Sequence, residues 1–143
     1  MKRTAKEFFE EYYEARREAN GYIEAEELRQ KMFADWYHEM EVGDHAHVSL
    51  WSDIEPVTII AKTKTTLTVR YDKAERDQSW KPEFVIGGFS AHCTNNEEQR
   101  WIISEDPNGS TEVFRWSKKM NCYKNTADCK LFPEWKKVYD YNF

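Results

Sequence analysis

The chain has 143 residues, 40% of them hydrophobic and 33% charged, which suits a single domain with a sizeable core. Its net charge is -5, and residues 1–41 carry most of it, with seven Lys or Arg against eleven Asp or Glu. That balance argues against a surface that tracks long nucleic acid, which wants a basic stripe, and no stretch is apolar enough to span a membrane.

The first element is an amphipathic helix. Thr4-x-x-Glu7 reads as a capping box, Phe8, Phe9, Tyr12 and Tyr13 supply an apolar stripe, and Asn20-Gly21 offers a left-handed stop, so a helix is expected over Thr4 to Ala19. Leu28, Met32, Trp36 and Met40 then recur every fourth residue, widened by Phe33 and Tyr37, and Gly43 ends this second helix. Residues 1–41 are expected to form a helical arm or lid packed on the remainder of the chain.

From Val42 the hydrophobic period shortens. His45 to Trp51, Pro56 to Lys62 and Thr65 to Tyr71 are rich in β-branched residues and predict three successive strands. A looser stretch, Asp72 to Lys81, leads to Pro82-Glu83-Phe84-Val85-Ile86 and a glycine pair. Gln99 to Ser104 and Thr111 to Trp116 flank Asp106-Pro107-Asn108-Gly109, which predicts a hairpin. Lys118 to Pro133 is polar and punctuated, and Val138 to Phe143 predicts a last strand. The expected fold is α+β: one domain over residues 1–143, with an N-terminal two-helix arm packed on a predominantly antiparallel sheet formed by residues 42–143.

The N-terminus turns acidic and amphipathic at once and lacks a signal-peptide apolar region, so a cytosolic location is expected. Cys93, Cys122 and Cys129 are an odd number without zinc-ribbon spacing and read as reduced thiols. His45-x-His47 places two imidazoles on one strand face but has no third ligand at a diagnostic spacing, so no metal site is expected. Cys93 has His92 as its direct neighbour, which in an extended strand points to the other side, so an activating base would have to come from elsewhere.

The most informative run is Gly87-Gly88-Phe89-Ser90-Ala91-His92-Cys93-Thr94-Asn95-Asn96. Glycines let a backbone turn sharply, and next to them stands an aromatic face with hydroxyl, imidazole and amide groups, as in a small-molecule pocket. Most of the six tryptophans read as core or subunit-interface residues. Lys62, Arg70, Arg100 and Arg115 lie inside strand patterns. Arg115, between Phe114 and Trp116, is the favoured cation for a phosphate-bearing ligand, since a guanidinium can stack on a base or clamp a diphosphate. The expected ligand-binding set is Phe89, Ser90, Asn95, Asn96, Gln99, Arg115 and Arg70, with the amides reading ribose hydroxyls or base edges.

Val42-Gly43-Asp44, Lys64-Thr65-Thr66-Leu67-Thr68, Tyr71-Asp72-Lys73-Ala74, the glycine-phenylalanine run, Gln99-x-Trp101, Asp106-Pro107-Asn108-Gly109 and Tyr139-Asp140-Tyr141-Asn142-Phe143 together give the chain a wider likeness. It resembles the first-described Thoeris anti-defence family of small phage proteins, over most of residues 42–143. The resemblance implies a sponge that binds cyclic ADP-ribose isomers made by a bacterial TIR-domain defence enzyme. The ligand is held without being degraded, and the NAD-consuming effector is never switched on. It implies no catalytic residue, no cofactor, a homo-oligomer, and action in the cytoplasm of the infected host. Some relatives also capture cyclic trinucleotides at separate sites, and one sequence leaves open whether this chain does. Phe89, the Asn95-to-Gln99 segment and Arg115 match the aromatic, amide and arginine contacts; nothing is carried into residues 1–41.

Two rivals belong to other classes. An acidic helical arm could mimic phosphate charge and act as a protein–protein inhibitor. An enzyme could cleave a cyclic nucleotide with His92 or His45 as acid–base residues.

Overall fold

The computed structural model describes residues 3–87 and 90–141. Helix α1 spans Ala5–Arg17 and helix α2 spans Gly21–His38. Thr4 is extended and its hydroxyl accepts a hydrogen bond from the Glu7 amide at 3.2 Å, which is the expected cap. Gly21 has the positive φ its sequence context suggested, +84°, but it opens α2, and α1 already ends at Arg17.

The strands are β1 (His45–Ser49), β2 (Ile54–Lys62), β3 (Thr66–Tyr71), β4 (Lys73–Arg76), β5 (Phe84–Gly87), β6 (Ser90–Cys93), β7 (Trp101–Ser104), β8 (Thr111–Ser117), β9 (Cys122–Lys124) and β10 (Lys130–Phe132). Six of them close into an antiparallel barrel in the order β1-β10-β9-β8-β3-β2. Alternation along each strand sends Ala46, Val48, Val57, Ile59, Leu67, Val69, Phe114, Tyr123 and Leu131 inward, and all are buried. Two-stranded ribbons, β4 with β7 and β5 with β6, lie outside the barrel. Among the described residues no helix is long and apolar enough to cross a membrane.

The arm shares one hydrophobic cluster with the barrel. Phe8 stacks on Trp36 at 4.1 Å between centroids, with Phe33 edge-on at 4.8 Å. Tyr37 meets Phe132 edge-on, and the His38 ring lies 4.0 Å from that of Trp116. Lys62 donates to the carbonyls of His38 and Met40, satisfying acceptors that a helix end leaves open.

The expected hairpin around Asp106-Pro107-Asn108-Gly109 does not form. The turn is present, with the Gly109 amide donating to the Asp106 carbonyl at 3.0 Å. The strands on either side of it pair elsewhere: β7 runs antiparallel to β4, and β8 antiparallel to β3. Since β4 comes after β3 with a single residue between them, residues 105–110 are an excursion between two strands that run the same way. The sequence 118–133, polar and punctuated, supplies β9 and β10, the two strands that complete the barrel. The expected last strand is reduced to an isolated bridge, Ile54 with Val138. Residues 142–143 of that expected strand lie outside the described residues.

Candidate functional site

Residues 134–141 cross the outside of β1 and β2 as a strap pinned along its length. The His47 ring donates from Nδ1 to the Glu134 carbonyl at 2.7 Å, and Trp135 stacks on His45 at 3.7 Å while its indole N–H donates to Asp72 at 3.0 Å. Lys137 pairs with Glu55, Val138 exchanges two backbone hydrogen bonds with Ile54, and the Asp140 amide donates to Asp53. His45 and His47 therefore serve the strap. Among the described residues no group of three His, Cys, Asp or Glu side chains is placed to hold a metal ion.

His47 gives the strap a pH dependence. Burial pushes its pKa below the usual 6.5, so the fold holds the neutral ring. This contribution to stability is complete above pH 6.5 and is lost as the pH falls through the depressed folded value, because the unfolded chain takes up the proton first. We expect His47→Gln to flatten the decline in melting temperature below that pH; an unchanged slope would discount the ring.

The sequence-predicted residues divide into separate places. Phe89 lies outside the described residues, as does the side chain of Ser90. Asn95 is a staple: its Oδ1 accepts from the Glu83 amide at 2.8 Å and from the Cys93 thiol at 3.4 Å, and its Nδ2 donates to the Lys81 carbonyl at 2.7 Å. These bonds close the base of the β5–β6 ribbon, where Phe84 pairs with Cys93. Gly87 pairs with Ser90 at the far end, some 10 Å away at strand spacing. Arg70 reaches Glu105 at 3.4 Å, and its buried Nε lacks a hydrogen-bond partner among the described residues. Arg115 is exposed on β8, opposite Lys124 and Thr66, and borders a 480 Å³ hollow with Trp116 and Lys124.

Asn96 and Gln99 do come together, in a groove of about 460 Å³ between β7 and the strap. A single turn of 3-10 helix, Asn96–Glu98, brings Asn96 to its rim. The Gln99 amide is fully engaged. Its Nε2 donates to Asn96 Oδ1 at 2.9 Å and to the Tyr139 carbonyl, and its Oε1 accepts from the Trp101 indole at 2.8 Å and the Tyr139 amide at 2.9 Å. Gln99 thus fixes the walls and has no capacity left to read a ligand. Asn96 Oδ1 is engaged by Gln99 and by the Tyr141 amide, while its Nδ2 has no hydrogen-bond partner among the described residues.

The walls themselves were missed by the sequence reading. Trp101 and Trp135, both half-buried, line the groove together with Lys136 and Lys137. Lys137 lies 5.5 Å over the Trp101 ring and is neutralised by Glu55, whereas Lys136 is exposed with no hydrogen bond or ion pair among the described residues. The groove offers two indoles, an amide donor, a cation without an ion pair among the described residues, and the Glu97 carboxylate. Trp135-Lys136-Lys137, an aromatic next to two cations, was the available signal in the sequence.

Compared with known protein families, curated proteins and solved structures, the chain matches none.

Proposed function

We propose that the protein is a binding protein that captures a nucleotide-like ligand in the groove between β7 and the strap and holds it unchanged. The observation that carries this is the pairing of Trp101 and Trp135 with an amide donor and an unpaired lysine around a space of about 460 Å³, within the ordinary range for small-molecule sites. A purine can stack on an indole, a phosphate can meet Lys136, and Asn96 Nδ2 with Glu97 can take ribose hydroxyls or a base edge. The resemblance to the phage anti-defence family suggests the ligand class: a cyclic ADP-ribose isomer, sequestered in the cytoplasm of the infected host so that the Thoeris effector stays off. Arg115 and Lys124 border a second hollow, on β8 and β9, that suits another phosphate-bearing ligand such as a cyclic trinucleotide.

A sponge must outcompete the effector, and a groove open to solvent gains affinity when a second chain covers it. The β5–β6 ribbon is suited to that assembly, since Phe84 and Val85 are half exposed and Ile86 is 96% exposed. The acidic arm supports a second reading, an inhibitor of another protein, because Glu7, Glu10, Glu14 and Glu18 are all exposed on α1 or just beyond it.

Calorimetric titration with a panel of cyclic ADP-ribose isomers tests the first reading. Trp101→Ala should weaken binding by about 1–3 kcal/mol, the usual worth of one base–aromatic stack, with the melting temperature little changed. Heating the complex should return intact ligand, whereas altered ligand would mean an enzyme. Equal affinity in wild type and Trp101→Ala, or no binding of any isomer, would remove the groove from consideration. Activity that depends on the α1 carboxylates and not on Trp101 would favour the inhibitor.

A further inference from the structure

A further cavity, sharing no lining residue with the groove, lies where α2 meets the barrel. It measures about 180 Å³ and is bordered by Arg29 and Tyr37 of α2, by Lys119, Asn121 and Cys122 of the β8–β9 connection and strand, and by Lys130 of β10. Among the described residues no carboxylate lines it. In a chain with 26 acidic and 21 basic residues, three cations around one small hollow are a local reversal of the overall charge. Among the described residues Lys119 and Lys130 have no hydrogen bond or ion pair, and Arg29 pairs with Glu26 on its own helix at 3.6 Å and lies 5.4 Å over the Phe33 ring.

The other polar side chains, Gln30, Tyr37, Asn121 and Cys122, are neutral. Burial raises the pKa of the Tyr37 hydroxyl and of the Cys122 thiol, so both keep their protons near neutral pH and add no negative charge. Asn121 stands at φ +52°, in the left-handed region, in the turn that brings this segment against α2. The cavity therefore presents a guanidinium, two ammonium groups, a phenol, a thiol and two amides, all able to donate and none carrying negative charge. Its volume is less than half that of the groove, about 180 against 460 Å³. That is too small for a nucleotide and sufficient for one tetrahedral oxyanion.

We propose that this cavity is a binding site for a phosphate group, either inorganic phosphate or the head of a small phosphomonoester. Arg29 supplies a planar fork and the lysines supply point charges. The bound oxyanion relieves the repulsion among the three cations and bridges α2 to β9 and β10, so phosphate fastens the arm to the barrel. The ligand differs from that of the groove, and the site stands whether or not the groove binds a nucleotide.

Thermal unfolding with increasing inorganic phosphate, at ionic strength held constant with sodium chloride, tests the site. The wild-type melting temperature should rise saturably, and the Lys119→Gln, Lys130→Gln double variant should lose about tenfold or more in apparent affinity, as expected when charge-assisted hydrogen bonds go. Lys64→Gln, which removes an exposed cation from the turn between β2 and β3, should titrate like wild type. Phosphorus NMR line broadening of phosphate by wild type and not by the double variant would confirm binding without relying on unfolding. Glycerol phosphate in place of inorganic phosphate separates the sources: tighter binding of the ester assigns a phosphomonoester, tighter binding of the ion assigns free phosphate. A shift equal to that of chloride alone, or one that survives in the double variant, would overturn the site.

Discussion

Phe8→Ala is expected to destabilise the protein by about 3–5 kcal/mol, the cost of emptying a buried aromatic site, and to lower the melting temperature by roughly 10–17 °C at this chain length. The reason is the density of its surroundings. Phe8 is fully buried, stacks on Trp36, and is touched edge-on by both Phe9 and Phe33. Removing the ring leaves a void bounded by three aromatic side chains that cannot all collapse into it. Trp36 is further fixed by its indole N–H on the Arg3 carbonyl, and Arg3 in turn is paired with Glu39 and Glu11. The near-ultraviolet circular dichroism of the Phe8–Trp36 stack should fall with the stability. A drop of less than about 2 °C, under 1 kcal/mol at this size, would mean that the arm docks without its aromatic knot.

Gly109→Ala should cost about 3 kcal/mol, at the upper end for an inserted methyl group. A Cβ at this position would stand 2.0 Å from the Tyr71 carbonyl oxygen and 3.3 Å from the Arg70 Cγ. The oxygen belongs to backbone in β3, and the Tyr71 amide is itself held by the Ser110 carbonyl at 2.8 Å, so neither side can step back. Relief requires residues 105–110 to lift off the junction of β3 and β4, which loosens Arg70, Glu105 and the Asp72 carboxylate that receives Trp135. Chemical denaturation should show a lower midpoint with the same slope. An Ala variant as stable as wild type would contradict the close approach.

The helices were legible because their apolar stripes are long. Thr4 to Ala19 and the fourfold spacing from Leu28 to Met40 each repeat over several turns, and the capped start at Thr4 lies where the sequence places it. Likewise β1, β2, β3 and β8 each run for five or more residues, with β2 and β3 rich in β-branched side chains and β3 alternating from Thr66 to Tyr71. By contrast β9 and β10 have three residues each, Cys-Tyr-Lys and Lys-Leu-Phe, too few for any period to register. The polar punctuation around them is the turn chemistry itself, with Asn121 and Asp128 both at positive φ. The hairpin expectation failed because turn residues report a bend and not the partner of the strands it joins; β4, hidden in the stretch that looked loose, takes β7 instead.

The candidate site divides along the same line. Asn95, Asn96 and Gln99 were recognisable as a cluster of amides, but an amide that reads a ligand and one that staples a backbone have the same sequence. What separates them is whether their donors and acceptors are already spent, and that depends on residues distant in the chain: Lys81 and Glu83, 14 and 12 positions before Asn95, and Tyr139 and Tyr141, 40 and 45 positions after Gln99 and Asn96. Trp101 and Trp135 read as core in the sequence because most tryptophans are. Their place on the groove comes from β7 leaving the barrel and the strap crossing outside it, neither of which has a local signature.

Closure of the barrel by β1 against β10 fixes the order in which the molecule can be made. His47 meets Phe132 across the seam, and its ring bonds Glu134, 87 positions later. Such distant pairing cannot begin until nearly all of the described chain has left the ribosome, and loop-closure entropy makes it slow even then. The strap seats on the outer surface of β1 and β2, so the groove is among the last features to exist. A nascent or partly folded chain would present the arm and early strands while having no capacity for ligand, and onset of binding in a refolding experiment would report the final docking step.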